Sequence, residues 1–95
     1  MPHMSDANVP SRYPFKTALS LGQVIRARRL ELGLTQMQLA ERARAQQKWI
    51  SALERGHGRA ELDRVLRVLS ALQLNLCAEP ADSSLPSALR GRNQP

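Results

Sequence analysis

Residues 36–55 read Gln-Met-Gln-Leu-Ala-Glu-Arg-Ala-Arg-Ala-Gln-Gln-Lys-Trp-Ile-Ser-Ala-Leu-Glu-Arg. The small and apolar positions in this stretch fit two short helices crossing at a steep angle. Ala40 is small where two helix axes would approach most closely. Leu39, Ala43, Ile50 and Leu53 fall where a shared core needs apolar groups. Gln46, Gln47 and Lys48 lie between the two apolar sets and face outward at the start of the second helix.

The flanking sequence supplies further helices. Ser20 and Gln23 have capping-box spacing, which predicts a first helix beginning at Ser20. Its buried stripe is expected from Leu21, Val24, Ile25 and Leu32, with Gly33 as the left-handed stop. Thr35 and Gln38 repeat the capping-box spacing, so helix two is expected from Thr35 to about Ala43. Helix three is expected from about Gln46 to Arg55, closed by Gly56 and Gly58. Helix four is expected from about Glu61 to Ala71, with Leu62, Val65, Leu66, Leu69 and Leu72 along one face. Glu61 and Asp63 fall in its first turn, where the helix dipole favours negative charge.

Beyond helix four, Leu74, Asn75, Leu76, Cys77 and Ala78 nearly alternate apolar and polar, which suggests a short strand. A lone strand cannot satisfy its own backbone. The same strand of a second copy could pair with it across a two-fold axis, burying Leu74 and Leu76 beside Cys77. The other reading is an extended segment that packs Leu74 and Leu76 on the helices. Residues 1–17 contain Pro2, Pro10 and Pro14 and read as a flexible arm with order near Tyr13 and Phe15; the other reading is that it packs on the domain or touches DNA through Arg12 and Lys16. Residues 79–95 contain Pro80, Pro86 and Pro95 with Arg90 and Arg92, and read as a disordered tail. Residues 18–78 are thus the expected domain.

The chain has 95 residues, 14 Lys and Arg against 8 Asp and Glu, and 3% aromatic content. One small domain with a thin core follows, and association would help it. With so few aromatics, Leu, Ile, Val and Ala must fill the core, which suits an all-α fold. A net charge of +6 is expected to attract a polyanion, either nucleic acid or an anionic membrane surface. Cys77 is the only cysteine, so no internal disulfide forms. No stretch approaches the roughly 18 apolar residues that span a bilayer. A soluble cytoplasmic protein is expected. His3, His57 and Cys77 are scattered, without zinc spacing. No nucleophile and base come with an orienting third group, so neither an enzyme nor a cofactor site is expected.

Several segments together resemble the Xre/Cro-type helix-turn-helix family. They are Leu21-Gly22 with Ile25, Arg29, Gly33-Leu34-Thr35-Gln36, Leu39-Ala40, and Ile50-Ser51 with Leu53-Glu54-Arg55-Gly56. The resemblance covers about residues 20–73. It implies a compact, lambda-repressor-like domain of four to five helices that binds DNA. A narrower similarity to HipB-type antitoxins lies in Lys48–Gly56, Arg59–Leu62, Val65–Leu69 and the Leu74–Cys77 segment. That similarity implies C-terminal strands paired in a homodimer, repression of the protein's own operon, and binding of a HipA-type kinase toxin. Two positions depart from the family pattern. Arg44 stands where the turn between helices two and three usually has Gly, so an adjusted turn or a shifted helix start is expected. Gln46 stands where Ser or Thr often caps helix three.

On this resemblance Gln36 takes the family position that grips a phosphate, and Arg29 with Glu54 matches a structural ion pair. Gln47 and Lys48 sit where side chains reach base edges. Gln pairs well with adenine, and Lys donates to guanine. Ser51 is placed for a phosphate or a base, Ala52 for a thymine methyl. Gln46, Arg55 and Arg59 complete the expected contact set, the two arginines with Lys48 adding charge around the groove. Trp49 either packs near helix four or lies on the sugar-phosphate wall. A two-fold dimer would bind an inverted-repeat operator in double-stranded DNA. A stand-alone Xre-type repressor, and an interaction module with weak DNA binding, are the competing readings.

Overall fold

The computed structural model describes residues 12–57 and 59–81. Among these residues four helices follow one another: α1 (Ala18–Glu31), α2 (Gln36–Ala43), α3 (Gln47–Glu54) and α4 (Leu62–Ala71). The fold is all-α. Gly58, residues 1–11 and residues 82–95 lie outside the described part, and with them Arg90, Arg92 and most of the expected arm and tail.

Local chemistry explains the helix starts. Thr35 caps α2: its hydroxyl accepts from the Gln38 amide at 3.0 Å, and the Gln38 side chain accepts from the Thr35 amide at 2.9 Å. This is the box expected from the spacing. α1 begins earlier than Ser20. Thr17 is its cap, accepting from the Ser20 amide at 3.0 Å, while the Ser20 hydroxyl accepts from the Thr17 amide. Ser20 therefore serves as the reciprocating residue rather than the cap. Two overlapping pairs had the right spacing, and the upstream one forms.

All four helices end in the same motif. Just past each helix an amide reaches back five positions, as in Leu34→Arg29, Ala45→Ala40, His57→Ala52 and Leu74→Leu69, with one residue between it and the last right-handed residue. The residue between must then be left-handed. Gly33 and Gly56 fill that position after α1 and α3, at φ 71° and 87°. After α2 and α4 it is filled by Arg44 and Gln73, at φ 57° and 59°. The turn at Arg44 is thus neither adjusted nor shifted. The arginine adopts the conformation that glycine would, at a cost of roughly 1–2 kcal/mol.

Ile25, Leu39, Ile50, Val68 and Leu72 are fully buried at the centre. Leu34, Ala40, Ala43, Leu53, Val65 and Leu69 complete the core. α3 packs on both α1 and α2, and α4 packs on α2. Gly22 marks the closest α1–α3 approach, since a Cβ there would lie 2.5 Å from the Leu53 carbonyl oxygen. Two arginines secure helix C-termini: Arg28 Nε donates to the Leu72 carbonyl and Arg67 Nε to the Ala43 carbonyl, each at 3.0 Å. Both place a cation on carbonyls that a helix end leaves open.

Two expectations are corrected. The buried face of α4 is Val65, Val68, Leu69 and Leu72. Leu62 and Leu66 are 65% and 40% exposed. The i, i+3, i+4, i+7 set starting at Val65 meets α2, which turns Leu62 and Leu66 toward the flank. The Leu74–Ala78 segment forms no strand, and no strand occurs among the described residues. A ladder needs a second backbone, which one copy does not supply. Leu74 packs against the core, while Leu76 and Cys77 are exposed.

Residues 12–16 approach α1. The Tyr13 hydroxyl donates to Glu31, and Arg28 lies 6.0 Å from the centre of its ring. Partial burial, then the Glu31 carboxylate, holds the Tyr13 phenol above its usual pKa. Arg12 meets Glu79 at 3.5 Å, bringing together the two ends of the described chain.

Candidate nucleic-acid interface

The geometry of α3 follows from what its inner face touches. Ile50, Leu53 and Glu54 are buried. Glu54 is a charged residue only 7% exposed, and Arg29 on α1 is 8% exposed. Burial of a carboxylate is tolerated only when charge and hydrogen-bonding capacity are both met. Here Arg29 Nε donates to Oε2 at 2.6 Å and Arg29 Nη2 to Oε1 at 3.1 Å, a bidentate pair. Arg29 Nη1 donates in turn to the Leu34 carbonyl at 2.9 Å. The pair ties α1, the α1–α2 turn and α3 into one unit.

Gln36, at the first position of α2, joins this network. Its Nε2 donates to Glu54 Oε1 at 3.1 Å, and the residue is half-buried. A carboxamide has two N–H donors and an acceptor oxygen. One donor is engaged with Glu54, which leaves the other, with the oxygen, for an outside partner.

The opposite face of α3 carries Gln47, Lys48 and Arg55, all exposed, with Ser51 and Ala52 half-buried between them. These five share one side of the helix, as their spacing predicts. Gln46 is exposed at the cap position, and its side chain makes no cap hydrogen bond. The Arg55 guanidinium donates to the Ser51 hydroxyl, so the two act as a pair on this face. Arg59 is exposed within the α3–α4 connection, apart from the helix itself. Leu74, Leu76 and Cys77 are not gathered with any of these residues.

Trp49 lies on the flank of α3 toward α4, half-buried against the core. Arg64 lies 5.7 Å from the centre of its ring. Arg64 Nε also pairs with Glu61 at 3.0 Å. Arg44, Ala45, Gln46, Trp49, Arg64 and Arg67 line a cleft of about 500 Å³ beside the N-terminal end of α3. Sequence reasoning missed the part of Arg44, Arg64 and Arg67 in it. The only signal was the three-residue spacing of Arg64 and Arg67, which puts both on one flank of α4.

A short helix crossing a partner over a small residue, with a polar outer face at its start, defines a DNA-binding helix-turn-helix unit. Residues 20–79 match the family model described as a helix-turn-helix domain, and the chain belongs to that family. The domain is of the Xre/Cro type, with the DNA-binding, regulatory character of that class. No curated protein matches the chain. Domains of this fold are non-catalytic. Among the described residues no group of three His, Cys, Asp or Glu is placed to hold a metal ion. Among them, too, no helix is long and apolar enough to cross a membrane.

Proposed function

We propose that this chain is a sequence-specific transcriptional repressor that inserts α3 into the major groove of double-stranded DNA. The observation carrying the reading is the two-sidedness of α3. Its inner face is bound to α1 through a buried ion pair and to α2 through the Gln36 hydrogen bond, and its outer face presents Gln47, Lys48, Ser51, Ala52 and Arg55. Gln47 and Lys48 read base edges, with Gln46 beside them at the helix start. Ser51 and Ala52 meet the groove floor, and Arg55 and Arg59 add phosphate contacts that are not sequence-selective. Gln36 offers its remaining N–H to a phosphate. The work of such a domain lies in the cytoplasm.

The protein acts as a homodimer on an inverted repeat, with recognition helices about 34 Å apart or a multiple of that. In support, Leu76 and Cys77 are exposed and the Leu74–Ala78 backbone pairs with no strand among the described residues. The finer reading is an antitoxin of the HipB type that represses its own operon and neutralises a HipA-type kinase toxin. It rests on the similarity in Lys48–Gly56, Arg59–Leu62 and Val65–Leu69. Residues 18–78 are the domain.

A mobility-shift assay on the gene's own upstream region tests the repressor reading. Binding there should be at least about 10³-fold tighter than to random duplex at physiological salt. Equal binding to both would end it. Co-purification with the product of the neighbouring gene tests the antitoxin reading, and a neighbour that is no kinase and does not co-purify would leave a stand-alone repressor.

A further inference from the structure

An α-helix with its side chains is about 10–12 Å across, and the major groove is about 12 Å wide. A helix seated in the groove therefore has both flanks against sugar-phosphate walls. On one flank of α3 stands Gln36, held by Glu54. On the other flank stands the cleft beside Trp49. Its chemistry is that of an anion seat. Arg44 makes no side-chain hydrogen bond or ion pair among the described residues. Arg67 uses Nε on the Ala43 carbonyl, and Arg64 uses Nε on Glu61. Each guanidinium keeps terminal N–H groups to donate. Glu61 pairs with Arg64 there, and none of the six residues lining the cleft is acidic.

Gln46 lines this cleft and also begins the reading end of α3, so the cleft continues the DNA-facing surface rather than standing apart from it. Resting on the major-groove reading above, we propose that the cleft formed by Arg44, Trp49 and Arg64 seats a backbone phosphodiester of the strand bordering the groove. The Trp49 side chain and the two arginines line that seat. The protein then holds both walls, through Gln36 on one side and this cleft on the other. These contacts set affinity and register but not sequence choice.

The test uses the full chain and two variants. Arg44→Gly with Arg64→Gln removes two cations, and the glycine relieves a left-handed arginine, so lost binding cannot be blamed on a strained turn. Gln47→Ala with Lys48→Ala removes base reading and keeps the cleft. Binding to a random-sequence duplex is followed by anisotropy across a salt series. The emission of Trp49, the chain's one tryptophan, is followed alongside. The cleft variant should lower the log–log salt slope by about 0.9, the value for one phosphate contact, and lose the duplex-induced change in Trp49 emission. Its preference for the upstream region over random duplex should persist. The reading variant should lose that preference and keep the emission change.

An unchanged slope in the cleft variant overturns the proposal, leaves the repressor reading intact, and gives the cleft to an acidic protein surface instead. An emission change produced equally by inorganic phosphate at the same phosphate concentration also overturns it, because the seat would then be for a free anion. No duplex binding by the unaltered chain ends both readings together.

Discussion

At its C-terminal end α3 is gripped along its inner face. The Leu53 and Glu54 carbonyls press on Gly22, and the Glu54 carboxylate accepts three hydrogen bonds from Arg29 and Gln36. At its N-terminal end nothing of the kind exists. Gln46 gives no side-chain cap, Gln47 and Lys48 are exposed, and the turn before them runs through a left-handed arginine. The helix is held most firmly at its C-terminal end, with Ile50 buried at its middle and its polar start exposed. On the repressor reading, stability is concentrated where the helix is held and specificity at its exposed start. Substitutions at the two ends should therefore separate folding from recognition.

The contrast breaks most visibly at Glu54. Glu54→Ala strands Arg29 in the core without its partner, at an expected cost of about 3–5 kcal/mol. Urea titration followed by circular dichroism measures it, and a loss below about 1 kcal/mol would mean the pair is solvated after all. Gly22→Ala should come next, at about 1–3 kcal/mol, because the added methyl meets backbone carbonyls that cannot rotate away. The same titration checks it.

At the free end the sign should reverse. Arg44→Gly removes a left-handed side chain and should raise the unfolding midpoint, by up to about 1 kcal/mol of stability. A fall would show that the arginine contributes more through its surroundings than its backbone costs. Gln47→Ala with Lys48→Ala should leave stability within about 0.5 kcal/mol while operator preference in a mobility-shift assay disappears. Preference that survived would move the reading surface off α3.

The smallest effect is expected at Tyr13. A phenol whose pKa is raised in the fold favours its neutral form there. Its contribution is whole below the usual value near 10 and fades as pH rises through the higher folded value. Tyr13 is the only tyrosine, so phenolate absorbance reports it alone. A midpoint at or below the model-peptide value would contradict the Glu31 contact.

Much of this was legible along the chain, for reasons that differ by feature. The α2 cap at Thr35 and Gln38 is a three-residue pattern and was read correctly. At α1 two such patterns overlap, and the expected pair, Ser20 with Gln23, is not the one that forms, Thr17 with Ser20. Of four identical helix endings, two show a glycine and were visible. The other two, at Arg44 and Gln73, use residues that carry no such signal. The outer face of α3 was visible because period 3.6 separates it from Ile50 and Leu53. The second role of Gln36, as a donor to Glu54, was not, since it depends on how α2 and α3 meet.

Helix placement, the apolar periods and the polar start of α3 rest on interactions within a few residues, and the order of amino acids states them directly. Other features depend on residues far apart in the chain. Arg28 and Arg67 close helix ends 44 and 24 positions away, and Arg64 comes to rest over Trp49. Which cations turn inward and which stay available, and which face of α4 is covered, follow from the crossing of packed helices. That crossing is set by the whole core at once, so no local window of sequence contains it.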